Sequence, residues 1–173
     1  MNSDQKKVVF GAVIGVMGMV ILVTLLYWIL PNPTGVNDTL ARVIFTLRMN
    51  VFAAIPLFFG IISVSNNRFS SEAIDPLRHA EDRITVINGR FVDNTLQQSV
   101  LFFVGSLALS TFLDAHSIKL ISAFTLVFVL ARIIFWIGYR IDPVYRAPGM
   151  AATGYLNMGV ILSALYIFLF GKH

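Results

Sequence analysis

Five long apolar stretches, at about 8 to 30, 43 to 64, 96 to 113, 118 to 139 and 150 to 170, organise the chain. The first, Val8 to Leu30, carries no charge. As a helix it is about 34 Å long, enough to cross a hydrocarbon core of about 30 Å. The breaks carry turn chemistry: PNPTGVND at 31 to 38, NNRFSSEAIDPLRHAEDR at 66 to 83, DAHS at 114 to 117 and RIDPVYRAPG at 140 to 149. Asp75 before Pro76 reads as an N-cap with proline at the first helical position, which predicts a short interfacial helix from 76 to about 87. The third stretch is short for a span, but helical reading extends back through GRFVDNTLQQ to about Gly89, placing a polar turn or two at the membrane surface. The pattern predicts an all-α membrane protein with five spans.

Lys6 and Lys7 precede the first stretch as in a signal peptide. The apolar run is longer than the roughly 7 to 15 residues of a signal core, and no A-x-A-like site follows Leu30, so a retained helix is expected. No repeat of 20 to 50 residues suggests a repeat-built transporter.

Composition agrees with the pattern. Hydrophobic residues make up 57% of the chain and charged residues 13%, against about one quarter charged in soluble domains. The net charge of +4 does not point to nucleic acid, because the basic residues are scattered over loops and form no basic helix face. With the N-terminus inside, the inner segments hold Lys6, Lys7, Arg68, Arg78, Arg83, Arg90, Arg140 and Arg146, and the outer ones only Arg42, Lys119 and Lys172. This bias predicts an N-inside, C-outside multi-pass protein, expected in a bacterial inner membrane. The absence of cysteine excludes disulfides and thiolate nucleophiles of the chain itself. His79, His116 and His173 lie far apart, so no metal site is expected.

Two arginines, Arg48 and Arg132, fall within apolar stretches. Each costs about 2.5 to 3.5 kcal/mol at a helix centre and needs a partner or a wet cavity. Arg90, Asn94 and Gln97 stand at i, i+4 and i+7, sharing a face within about 60°, with Gln98 beside them. Arg132, Phe135 and Tyr139 share a face of another helix. If these faces meet, they form a cationic, amide-rich pocket, with Arg146 reaching in from beyond Pro143. Such a pocket suits a carboxylate or phosphate. The other reading is that NTLQQS merely joins helices.

RFVDNTLQQSVLFF, residues 90 to 103, resembles the R-x3-N-x2-E signature of the MAPEG family, membrane-associated proteins in eicosanoid and glutathione metabolism. ARIIFWIGYRIDPVYRAPG, residues 131 to 149, resembles its A-R-x2-Y-x2-G-Y-x6-R signature. The resemblance implies a MAPEG-like four-helix transmembrane domain at 40 to 173, preceded by an additional N-terminal transmembrane helix and linker at 1 to 35. It also implies a homotrimer with glutathione between subunits. Arg90, Asn94, Tyr139 and Arg146 match glutathione-contacting positions, and Arg146 matches an arginine that acts on the thiolate. Gln97 replaces the motif glutamate and Phe135 its first tyrosine. Gln97 can still bond an amide but cannot neutralise the glutathione ammonium. The implied function is a glutathione-dependent transferase or peroxidase acting on lipophilic electrophiles that arrive from membrane lipid. Arg146 would be catalytic, and Arg90, Asn94, Gln97, Tyr139 and Arg146 would hold glutathione. The alternative is a noncatalytic scaffold or lipid-binding protein, for which Gln97 and Phe135 argue.

Overall fold

The computed structural model describes residues 1–71 and 81–171. Six α-helices follow one another: α1 (Ser3–Ile29), α2 (Thr39–Ala53), α3 (Ile55–Phe69), α4 (Arg83–Ser110), α5 (Lys119–Ile141) and α6 (Ala147–Phe170). A 3₁₀ turn, Pro143–Arg146, joins the last two, and no strand occurs among the described residues. Four segments are long and apolar enough to cross a membrane: α1, α2 with α3, α5, and the 3₁₀ turn with α6. The protein is thus an all-α, multi-pass membrane protein. α4 has 28 residues but carries Arg90, Asp93, Asn94, Gln97 and Gln98, so it matches the others in length and not in apolarity.

The helix boundaries follow from local chemistry. Asp38 and Asp82 accept the N–H groups of Ala41 and Thr85, both at 2.8 Å, and so start α2 and α4. The expected helix from 76 to 87 falls up to residue 80 outside the described residues, and its last turn belongs to α4. α2 and α3 form one span interrupted at Ala54, because Pro56 has no N–H to continue the ladder and its ring crowds the preceding turn. α5 stops at Ile141, where Asp142 takes an extended conformation before Pro143 and accepts the Val144 N–H at 2.8 Å.

Helices α4, α5 and α6 pack together. Phe102 and Phe128 sit at their centre with ring centroids 4.7 Å apart, joined by Leu109, Leu156 and Val160. Two glycines allow close approach. A Cβ on Gly149 would strike the backbone of Ala131 and Phe135, and one on Gly138 would strike the Tyr145 carbonyl. The first presses α6 onto α5, and the second folds the 3₁₀ turn back over the end of α5. α1 lies along α5 and α6. It has no buried residue, yet Gly15 meets the Pro148 carbonyl so closely that a Cβ would not fit. The G-x-x-x-G pattern at 11 to 15 therefore serves packing within one chain.

Candidate functional site

The polar groups of the bundle gather toward the face where α1, α4 and α6 begin and α3 and α5 end, here the N-terminal face. Arg132 lies deepest and is fully buried. Its Nε and Nη2 donate to Thr153 Oγ1 at 3.0 and 2.7 Å, Nη1 to Asn94 Oδ1 at 2.8 Å, and Nη2 also to the Gly149 carbonyl at 3.3 Å. Phe135 offers its ring face 4.7 Å from the guanidinium carbon. The Thr153 hydroxyl donates to Gly149 O at 2.7 Å, so the acceptors around the cation are themselves oriented. All partners are neutral, and the charge is spread over three helices. Arg132 is thereby a helix-joining group with no opening toward a ligand.

The α4 and α5 faces anticipated from spacing thus meet in part. Asn94 contacts Arg132, and Phe91 packs on Phe135 with centroids 5.8 Å apart. Arg90 and Gln97 point the other way: both are exposed and have no hydrogen bond among the described residues. Gln98 is held by Asn157, whose Nδ2 donates to its side-chain oxygen at 2.8 Å and to its backbone carbonyl at 2.9 Å. The six anticipated residues therefore do not line one pocket within a single chain. The reason is geometric: the line of contact on α4 runs through Asn88, Phe91, Thr95 and Phe102, all buried, and leaves Arg90 and Gln97 off its edge. Arg48 is exposed on α2 rather than paired inside the bundle.

Arg146 is in a different situation. Asp142 and Pro143 turn the chain, Gly138 admits the turn, and the guanidinium comes to lie over the Tyr139 ring at 4.7 Å. No carboxylate meets it among the described residues. It stands at the edge of a groove of about 650 Å³ between α1 and α6. Val8 and Ala12 form one wall, Met150, Ala151, Tyr155 and Met158 the other, and Pro143 and Val144 the end. Val8, Met150, Tyr155 and Met158 are exposed on the apolar surface of the bundle, so the groove opens sideways. Among its lining residues, Arg146 alone is charged. The groove was not legible in the sequence, because its first wall belongs to a helix that reads as a separate addition.

A second polar cluster also escaped sequence reasoning. Ser63, Asn88, Trp136 and Arg140 meet between α3, α4 and α5. Its signal was present in the i, i+4 spacing of Trp136 and Arg140 and in an asparagine beside Arg90. No group of three metal-ligating side chains occurs among the described residues.

Comparison with known proteins finds two relatives named transmembrane protein 79. The one from Bos taurus is 27% identical over 126 residues and the one from Mus musculus 25% over 126 residues. Each alignment covers 73% of this chain and 32% of the relative, so the chain spans about a third of the length of the curated relatives it matches. No family model matches, and no solved structure matches. These findings overturn the resemblance to the MAPEG family, since the relatives carry a different family name and no model of that family matches. The signature rests on a few Arg, Asn and Tyr residues at helical spacing, and that spacing also arises when amides and guanidiniums join membrane helices, as Asn94 and Arg132 do here.

Proposed function

We propose that the protein binds a lipophilic molecule with an anionic end in the groove between α1 and α6, with Arg146 meeting the polar end. The observation that carries this reading is a laterally open apolar groove of about 650 Å³ with one charged lining residue, Arg146, at its edge. The volume falls within the usual 300 to 1,000 Å³ of small-molecule sites, which are mostly apolar with few placed polar groups. A guanidinium stacked on one aromatic ring keeps its N–H edge for a carboxylate or phosphate. The apolar part of the ligand would enter from the bilayer, and with the N-terminus inside, as the positive-inside bias suggests, the site would face the cytoplasm.

A second reading adds chemistry at the same arginine. A cation at the boundary between water and an apolar groove would favour the thiolate of glutathione, whose intrinsic pKa is about 8.5, over its thiol. The thiolate would then attack an electrophilic carbon of a lipophilic substrate held in the groove, forming a thioether as the bond to the leaving group breaks and that group departs with the bonding pair. Arg90 and Gln97 favour this reading, because both are exposed polar groups on a membrane-length helix and have no hydrogen bond among the described residues. In a homotrimer they would face a neighbouring copy and, with Asn94 and Tyr139, hold the tripeptide. Asn94 would contribute only its amide N–H groups, since its oxygen serves Arg132.

The test is thermal unfolding of the purified protein in nanodiscs, titrated with a long-chain fatty acid, its methyl ester, glutathione and a thiol-blocked glutathione. A ligand at 100 times its Kd adds about 2.7 kcal/mol to native stability. The first reading expects a shift with the acid, little with the ester, and loss of the difference in Arg146→Gln. Equal shifts with acid and ester, or an unchanged response in Arg146→Gln, would refute it. A saturable shift with both glutathione forms, lost in the same variant, supports the second.

A further inference from the structure

The cluster around Arg140 is unlike either of the other arginine sites. Asn88 is fully buried, and its side-chain oxygen accepts from Trp136 Nε1 at 2.9 Å and from Arg140 Nε and Nη2 at 3.2 and 3.0 Å. Asn88 Nδ2 donates to Ser63 Oγ at 2.9 Å, and Arg140 Nη2 donates to the same hydroxyl oxygen at 3.2 Å. The guanidinium also lies on the Trp136 ring at 4.8 Å, and that ring is stacked on Phe91 at 4.6 Å. Gly60 eases this approach: a Cβ there would come within 2.7 Å of the Phe91 ring, which would have to shift for α3 to bring Ser63 up to Asn88. Arg140 is therefore exposed yet fixed, along one edge by hydrogen bonds and across one face by an aromatic stack.

Donors exceed acceptors in this cluster. Three N–H groups converge on one amide oxygen, which has two lone pairs. Arg140 Nη1 has no partner among the described residues, and the Ser63 hydroxyl, already accepting twice, keeps its own proton to donate. The nearby described acids are directed elsewhere. Glu81 pairs with Arg68, Asp82 caps α4 and Asp142 caps the 3₁₀ turn. Asp93 stands five positions beyond Asn88, about 140° around α4. Arg83 and Arg90 are also exposed and have no hydrogen bond or ion pair among the described residues, so none of these fixes their orientation.

We infer that Arg140 Nη1 and the Ser63 hydroxyl form a phosphate-binding site at the N-terminal membrane face, separate from the α1–α6 groove. A fixed guanidinium edge with a neighbouring hydroxyl suits a tetrahedral oxyanion, and preorganisation removes the ordering cost that a free surface arginine carries. Trp136 marks the depth at which aromatic rings meet lipid headgroups. Ile137 and Ile141, both exposed, offer apolar surface to acyl chains beside the site. The same chemistry would also take free phosphate, and the experiment separates the two sources.

The experiment measures unfolding midpoints in micelles with added dioleoyl phosphatidic acid, dioleoylglycerol or inorganic phosphate, for the full chain and for Arg140→Gln, Arg140→Lys, Ser63→Ala and Arg146→Gln. The expected result is a saturable shift with phosphatidic acid and none with dioleoylglycerol. Apparent affinity should be about ten-fold weaker in Arg140→Gln and partly kept in Arg140→Lys, while any response that remains in Arg140→Gln and is lost in Arg146→Gln belongs to the groove. An equal response to inorganic phosphate, with the same dependence on Arg140, supports the site and assigns it to free phosphate. Ser63→Ala leaves the Trp136–Asn88 bond in place and covers the case in which Arg140→Gln does not fold; it should weaken binding several-fold. Equal shifts in the parent, Arg140→Gln and Ser63→Ala would overturn the inference, as would loss of the phosphatidic acid response in Arg146→Gln alone, which assigns that lipid to the groove.

Discussion

Arg132 and Arg146 bring the same side chain toward the same face of the bundle and reach opposite states. Arg132 is fully buried and makes four hydrogen bonds to Asn94, Gly149 and Thr153. Arg146 rests on Tyr139 at the edge of an apolar groove and meets no carboxylate among the described residues. A cation in a membrane bundle can thus join helices or stay available for a ligand, and its hydrogen bonds decide which. The difference originates in backbone geometry. Gly149 lets α6 close over Arg132, whereas Asp142 and Pro143 turn the chain so that Arg146 stands outside that closure.

The largest effect should come from Arg132→Ala. Charge is already inside the bilayer before helices pack, so removing it forfeits packing and hydrogen bonds rather than relieving desolvation. The truncation leaves Asn94 Oδ1 without its partner and a void against Phe135. A loss of about 2 to 4 kcal/mol is expected in reversible unfolding in detergent. Arg132→Lys, which keeps the charge but not the planar fork, should fall between. A loss below about 0.5 kcal/mol in the alanine variant would refute a structural role.

The next test exchanges the two glycines that frame the comparison. A methyl on Gly149 meets the backbone of Ala131 and Phe135, which cannot yield as a side chain would. Gly149→Ala should cost about 1 to 3 kcal/mol. Gly15→Ala meets the Pro148 carbonyl and should push α1 from α6, with its main effect on the groove and on ligand response. Gly18→Ala, with open space around it, should stay within about 0.5 kcal/mol of the parent. The comparison fails if the Gly149 and Gly15 variants lose stability and ligand response in equal proportion.

These particulars show what the sequence made legible. Four of the five expected spans were visible because an uncharged run such as Val8 to Leu30 has few other readings, whereas the third stretch lies in α4, which is too polar to qualify as a span. The start of α4 was placed at about Gly89 rather than Arg83, because its first turns are polar and the deciding signal is the single carboxylate of Asp82. Helical spacing put Asn94 and Arg132 on two faces without deciding whether those faces meet, and the two residues do meet. The exclusion of Arg90 and Gln97 from that contact did not follow from spacing either, since a face about 60° wide can lie on either side of a contact line. The groove depends on α1 docking through Gly15, and Gly60 eases the Arg140 cluster, both close approaches across the chain that a one-dimensional pattern does not encode. Spacing also suggested a family resemblance that the comparisons overturn, because helix-joining amides repeat the same pattern.

A smaller effect is expected from Arg146→Gln. Its stack on Tyr139 is part exposed, and such contacts contribute about 0.5 to 1 kcal/mol. The unfolding midpoint should therefore change little while the fatty-acid response disappears. A stability loss as large as that of Arg132→Ala would erase the distinction between the two arginines.

The smallest effect concerns pH and tests whether the comparison is one of permanent charges. Guanidinium groups do not titrate near neutral pH, so the stability gap between the parent and Arg132→Ala should be flat from pH 5 to 8. Asp114, in the loop between α4 and α5, supplies the contrast. The backbone N–H of Ser117, at 2.7 Å, holds its carboxyl below the ordinary value, helped by the His116 N–H at 3.0 Å. A folded-state pKa below the unfolded one stabilises the fold above the unfolded pKa of about 3.9, and that contribution is lost as pH falls through the lowered value. Asp114→Asn keeps an oxygen acceptor and loses the charge. Its deficit relative to the parent should be constant above about pH 5 and shrink toward pH 2. A gap for Arg132→Ala that instead follows the Asp114→Asn profile would mean that a carboxylate, and not the neutral partners Asn94, Gly149 and Thr153, balances the buried arginine.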